Sequence, residues 1–189
     1  MNVEIRELTS NESQLLKQAI ELMNRTQGIG LFNINYLKSM IKSKSALVLG
    51  AFLGKELVGI GCAEIINNFS YYLPFDKNIE SRLNKKKVGS LCSLCVRENL
   101  QSKGIGQMLS KKRIKWLETE KCNIILGVAW LSNLQHTSDR VFRKLGFKEI
   151  KEVVGFYKKD TEEHPFECPG CKKQPCICSA RLYQLEIKL

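Results

Sequence analysis

Two stretches of this sequence hold residues whose types and spacing could do chemistry. The first is Cys168-x2-Cys171-x4-Cys176-x-Cys178, within the run from His164 to Ser179. A Cys-x2-Cys turn with Pro169-Gly170 inside it brings two sulfurs onto one ion, and four thiolates complete a tetrahedral zinc site. The second pair, Cys176-x-Cys178, is tighter than the common two-residue spacing, and His164 could replace one cysteine as ligand. Reactive or disulfide-forming thiols and an iron–sulfur cluster draw on the same residues. Four cysteine ligands leave no open position, so a metal here is expected to be structural. Lys172 and Lys173 would offset part of the negative charge of four thiolates on one zinc ion.

The second stretch is Leu94-Cys95-Val96-Arg97-Glu98-Asn99-Leu100-Gln101-Ser102-Lys103-Gly104-Ile105-Gly106. A strand ends at Val96, and an amphipathic helix begins at Gly104. Amides at a helix start lack intrahelical partners, and the helix dipole favours negative charge there. Two glycines would let a pyrophosphate approach the backbone, and Lys103 adds a positive charge. The Gly-Lys-Ser/Thr ending of a Walker loop is absent, and the glycine spacing is not the dinucleotide fingerprint. Close helix–strand packing would also account for both glycines.

The elements that must position these groups can be read from periodicity. Alternation over 3–8 predicts a strand, and Thr9 and Glu12 have capping-box spacing before a helix over 10–26. Gly28 and Gly30 end that helix, and Asn33 caps a second over 33–43. Residues 46–52 and 57–66 read as a hairpin about Gly54-Lys55. A long connection over 67–87, with a helical turn near 77–83, leads to a strand over 90–96. The glycine turn and its helix, 104–119, follow. Residues 123–130 form an almost wholly apolar strand, as befits a central one. A short helix over 138–145 stops at Gly146, and strands over 147–158 and 181–188 close the chain. This order predicts an α/β (α+β) fold, a single domain over 1–189, with a twisted, mixed sheet flanked by helices. The cysteine segment, 160–179, is a small zinc-knuckle insertion between the last two strands. A bare loop of about 20 residues is unusual in a compact domain, and a metal lets it fold without its own core.

Composition sets the bounds. The chain has 189 residues, 43% of them apolar and 26% charged, which excludes a disordered chain. No apolar run reaches the length of about 18 residues that a membrane span needs. The opening MNVEIRELTSNES carries acidic residues and no apolar core, so it is not a secretory signal, and a reducing, cytoplasmic setting is expected. The net charge is +11. Residues 82–121 carry eleven basic and three acidic residues, most of that excess. A phosphate-rich ligand at the turn accounts for much of it; nucleic acid is possible but not required. Of the eight cysteines, Cys62, Cys92, Cys95 and Cys122 read as packing residues.

Gln101-x-x-Gly104-x-Gly106, between a strand and an amphipathic helix, resembles motif A of the GNAT family of N-acetyltransferases. Val141-Phe142-Arg143-Lys144-Leu145-Gly146-Phe147 resembles that family's helix-to-strand ending, and the two stand in the family's order. The resemblance implies acetyl transfer from acetyl-CoA to a primary amine by direct attack in a ternary complex. It implies that Gln101, Ser102, Lys103, Gly104, Ile105 and Gly106 cradle the pyrophosphate. It also implies a backbone N–H near Cys95 and Val96 for the oxyanion. Asn133 is a further candidate for the CoA arm, although the family's usual Asn position falls on Gln135. The family's usual acid, a Tyr, stands at Phe142 here, and the strand over 90–96 has no carboxylate. Glu64, near the end of the hairpin, is therefore the candidate base, and Cys95 is a second catalytic candidate beside it.

The acceptor is an unidentified amine, on a small molecule or a protein, and the cysteine loop is expected to shape access to it. The rival reading, from another class, is a zinc-containing nucleic-acid or protein binding module that keeps the fold and has little transferase activity. Neither the acceptor nor the oligomeric state is written in the sequence.

Overall fold

A computed structural model describes residues 2–132 and 138–188. Strand β1 (Glu4–Glu7) leads to helices α1 (Ser13–Gln27) and α2 (Ile34–Lys42). The hairpin of β2 (Ala46–Leu53) and β3 (Glu56–Ile66) follows. A 3-10 turn at Ser70–Tyr72 and the short α3 (Ile79–Leu83) fill the connection to β4 (Val88–Val96). Then come α4 (Ile105–Thr119), β5 (Ile124–Leu131) and α5 (Asp139–Lys144). The chain closes with β6 (Lys148–Val153), α6 (Lys158–Glu163) and β7 (Ser179–Glu186). One mixed sheet runs β1-β2-β3-β4-β5-β7-β6, and only β4 and β5 are parallel. This is the expected α/β class, with helices on both faces.

Alternation decides which residue meets which helix. On β2, Val48 and Phe52 pack toward α1 and α2 with Leu16, Met23 and Leu37. Leu47, Leu49 and Ala51 face the other way, toward Ile105 and Leu109 of α4. Each fully buried Leu or Ile contributes about 1.5–3 kcal/mol. β5 is buried on both faces: Ile124 and Leu126 join one cluster, Ile125 and Ala129 another. That explains its unbroken apolar run. Gly127 lets α5 close on it, since a Cβ there would lie 2.3 Å from the Phe142 ring.

The ends of elements follow local chemistry. Asn33 Oδ1 accepts the Tyr36 amide at 3.0 Å and caps α2 as expected. Helix α1 begins at Ser13, later than its periodicity suggests, because Thr9–Glu12 is a turn. There the Glu12 carboxylate accepts the Thr9 amide at 2.8 Å and the Arg6 guanidinium at 2.6 Å. The strand expected over 147–158 stops at Val153. Gly155 turns the chain at φ +64°, and Phe156 packs on Tyr71 and Phe75. Helix α6 has no apolar periodicity; its one buried residue is Thr161, so nothing in its sequence announces it.

The feature that positions a site is the parting of β4 and β5. They pair only over Val88–Leu91 against Ile124–Gly127, yet β4 continues to Val96 and β5 to Leu131. A bulge sits where they part. Between the pairs Gly61↔Leu94 and Ala63↔Leu91, Cys62 of β3 faces both Cys92 and Ser93 of β4. The extra residue bends β4 away.

Candidate active site

The gap between β4 and β5 belongs to a cavity of 1590 Å³ walled by β4 from Ser90 to Val96, by Val128 and Trp130 of β5, and by Glu64 of β3. A buried cation braces it. Arg113 of α4 is 1% exposed and has no acidic partner among the described residues. Its guanidinium donates to the Cys62 carbonyl at 2.8 Å, to the Ser93 carbonyl at 3.2 Å and to Ser110 Oγ at 2.8 Å. Cys62 and Ser93 belong to the bulge, so Arg113 satisfies carbonyls there. Burial lowers its pKa to about 10. By count of charge Arg113 belongs to the basic surface; by position it does not. It continues the row Ile105, Leu109, Leu117 at four-residue spacing, and that row was the signal for its burial.

Glu64 lies opposite Ser90 in the β3–β4 register, on the face that looks into the cavity. The Cys92 thiol lies 3.4 Å from Glu64 Oε1. Tyr72 reaches in from the 3-10 turn and donates to Ser90 Oγ at 2.8 Å. Burial, and then the Glu64 charge, push the Cys92 thiol pKa up. Cys92 is half-buried: it packs against the core cluster that holds Cys62 and Cys95, as expected, and also lines the cavity. Cys95 is 2% exposed, and burial raises its thiol to about 12. A thiol held protonated in this way is a poor nucleophile.

Past Val96 the chain turns through Glu98–Leu100 toward α4. Gln101 Nε2 donates to the Val96 carbonyl at 3.0 Å and ties this turn to the strand end. Gly104 caps α4 in the left-handed region, φ +87°, with open space where a Cβ would stand. No acidic residue occupies the first turn of α4, so the dipole there is uncompensated. Lys103 is exposed, and the Ile105 side chain is buried in the core. A Cβ on Gly106 would meet Leu94 and Val96 at 3.6 and 3.9 Å, so protein packing alone does not demand that glycine. Of this group only Gln101 is a wall of the cavity; Ser102 to Gly106 form the turn next to it. Asn133 lies outside the described residues.

The cysteine loop closes the other end. The four sulfurs lie within 4.8 Å of one another. Cys168–Cys178 are 3.8 Å apart and Cys171–Cys176 3.6 Å. Zinc–sulfur bonds of about 2.3 Å give a tetrahedral edge of about 3.8 Å, so the residues present fit such an ion. All four are free thiols here, and His164 is not among the group. Thr161, fully buried, accepts the Cys176 amide at 2.8 Å, and Gln174 donates to the Thr161 carbonyl at 2.6 Å. The Pro169-Gly170 turn lies flat on β5, since a Cβ on Gly170 would stand 2.5 Å from Trp130 and Ser132. Paired bonds between Ile29 and Glu167, 3.0 and 3.2 Å, bridge the loop to the α1–α2 connection, with the Phe166 ring against Gly28. Cys168, Pro169 and Cys176 are themselves cavity walls.

The sequence profile of the Acetyltransferase (GNAT) family matches residues 18–147. The chain belongs to the GNAT family. Among solved structures, Arabidopsis thaliana NAA60 in complex with acetyl-CoA is similar with a TM-score of 0.68 at 14% identity, over 98% of this chain and 99% of that one. The NatC complex bound to Gag peptide and CoA gives 0.69 at 13%, covering 100% of both chains. Mosquito arylalkylamine N-acetyltransferase like 5b gives 0.71 at 14%, over 98% and 100%. At such identities these likenesses speak for the GNAT fold alone. None of the curated proteins matches this chain in sequence. No helix among the described residues is long and apolar enough to cross a membrane.

Proposed function

We propose that this GNAT protein transfers the acetyl group of acetyl-CoA to a primary amine by direct attack in a ternary complex. The observation that carries the reading is the continuity of three parts: the gap between β4 and β5, the Gly104 turn at its end, and a carboxylate, Glu64, inside the same cavity. Gln101, Ser102, Lys103, Gly104, Ile105 and Gly106 form the pyrophosphate turn through backbone amides, and Asn133 is a further contact for the CoA arm. Glu64 takes the proton that the ammonium must lose before its nitrogen attacks the thioester carbon. A backbone N–H of β4 near Cys95 and Val96 receives the oxyanion. The carbon–sulfur bond then breaks, the nitrogen gives up its remaining extra proton as the amide forms, and the departing CoA thiolate takes up one proton to leave as the free thiol. Phe142, packed between Phe147 and Tyr183, supplies no proton, because a phenyl ring has none to give.

Cys168, Cys171, Cys176 and Cys178 hold a structural zinc ion in this reading. The ion orders the loop over the acceptor side of the cavity and takes no part in bond making. Two kinds of relative support an amine acceptor without choosing between them, one bound to a peptide and one named for arylalkylamines. The test is release of the free CoA thiol from acetyl-CoA with tryptamine, spermidine and a short Met-initiated peptide. Turnover with at least one of them is expected, and Glu64→Gln should abolish most of it. No turnover with any, together with salt-sensitive retention on RNA, would favour the binding module instead.

A further inference from the structure

Glu64 does not stand alone in the cavity. It sits directly opposite Ser90 on the neighbouring strand, and Cys92 is the next residue of β4 on that face. Cross-strand neighbours and their diagonals are close enough for long side chains to touch. The bulge begins at Cys92, where β4 bends from β5. Three side chains then stand in line. Tyr72 Oη donates to Ser90 Oγ at 2.8 Å, Ser90 Oγ lies 3.8 Å from Cys92 Sγ, and Cys92 Sγ lies 3.4 Å from Glu64 Oε1. Among the described residues no protein group donates to Glu64 Oε2.

We propose that Cys92 is a positioning residue for Glu64: its thiol donates to Oε1, fixes the carboxylate against β4, and leaves Oε2 to take the proton of the incoming amine. The proposal rests on the reading of Glu64 as the base. Tyr72 and Ser90 serve behind it, holding Cys92 in the rotamer that points at Glu64. A thiol suits the task because it stays protonated beside a carboxylate. Burial and the Glu64 charge both raise its pKa, so it remains a donor. No covalent step falls to Cys92: its proton is directed at Glu64, and no histidine or cation among its hydrogen-bond partners would remove it. An oriented base gains from the entropy already lost in ordering it.

The experiment is a two-residue cycle, read with whichever amine of the panel turns over fastest. Cys92→Ala should lower kcat about tenfold, the scale of one lost hydrogen bond to a charged group. It should leave the Kd of acetyl-CoA, measured calorimetrically, within about twofold. Cys92→Ser, which restores a donor, should recover most of the rate. In the Glu64→Gln background the alanine change should have no further effect. Should Cys92→Ala fail to fold, Cys92→Val, similar in size and without a donor, replaces it. The infrared S–H stretch, assigned by difference against Cys92→Ser, gives a second readout that needs no acceptor. It should lie at the frequency of a hydrogen-bonded thiol and move to that of a free thiol in Glu64→Ala. A fully active Cys92→Ala alongside a dead Glu64→Gln overturns the positioning role alone. That role fails equally if the alanine loss persists in the Glu64→Gln background, or if the S–H band ignores Glu64. A fully active Glu64→Gln overturns the base reading itself.

Discussion

The two ends of the cavity are built from different materials. At the Gly104 turn the groups on offer are backbone amides at the start of α4, and Gly104 and Gly106 place no side chain in front of them. At the cysteine knuckle the groups brought together are four side-chain sulfurs, and the loop is held down by side chains such as Thr161, Trp130 and Phe166. The GNAT profile covers 18–147 and so includes the first end and omits the second. A site made of backbone survives wide change in sequence, provided glycine stays where a Cβ would interfere. In the proposed reading the donor substrate is bound at the end the profile covers, and the acceptor is met at the end beyond it.

Removing the metal should break this division most visibly. If the knuckle serves the acceptor end only, chelation or Cys168→Ser/Cys176→Ser should free the loop from the Ile29–Glu167 bridge. Acceptor turnover should fall by about a hundredfold, while acetyl-CoA affinity shifts by no more than about twofold. Calorimetry with acetyl-CoA on stripped protein checks it. Complete loss of acetyl-CoA binding would show that the two ends are one unit.

Arg113 lies between the ends, and Arg113→Met should cost about 2 kcal/mol of stability. The Cys62 and Ser93 carbonyls each lose a donor, at about 1–3 kcal/mol when buried, and relief of the desolvated charge offsets part of that. Urea unfolding measures it. A neutral result would mean that the bulge holds itself without the guanidinium.

Arg113 also shows where reading the sequence stops. The sheet, the hairpin, α4 and the glycine turn were legible, because each rests on local periodicity or on a glycine that only a turn requires. The four-cysteine group was legible from spacing. Glu64 could be named, but not its neighbours: Ser90 and Cys92 meet it through strand register and a bulge, with Tyr72 bonded to Ser90 behind them, and one sequence does not display that. Cys92 packs against the core as its type suggests, and the bulge also brings it to the cavity wall. Helix α6 was invisible because tertiary contacts at Thr161, not an apolar stripe, hold it in place.

At the backbone end, Gly104→Ala sharpens the comparison. The left-handed conformation at φ +87° should cost about 1–2 kcal/mol once a Cβ is present. A shift in the turn should weaken acetyl-CoA binding by roughly tenfold. The acceptor KM should stay as it was. An equal loss for both substrates would contradict a division between the two ends.

The smallest effect expected concerns the start of helix α1. The Arg6 guanidinium, and after it the Thr9 amide, hold the Glu12 carboxyl down to about 2 from its ordinary 4.5. A carboxyl depressed in the folded state contributes stability that is fully present above the unfolded value. That contribution fades as pH falls from about 4.5 toward about 2. The pair is partly exposed, so solvent screening limits it to about 0.5 kcal/mol. Glu12→Gln should therefore lower Tm slightly at pH 7, and the deficit should vanish as pH approaches 2. Helix α1 begins beside Glu12 and ends at Gly28, against Phe166 of the cysteine loop. If the metal alone fixes that loop, this change at the opposite end of α1 should leave the acceptor KM untouched. A KM that rises with Glu12→Gln would mean that the acceptor wall takes its position from α1 as much as from the knuckle.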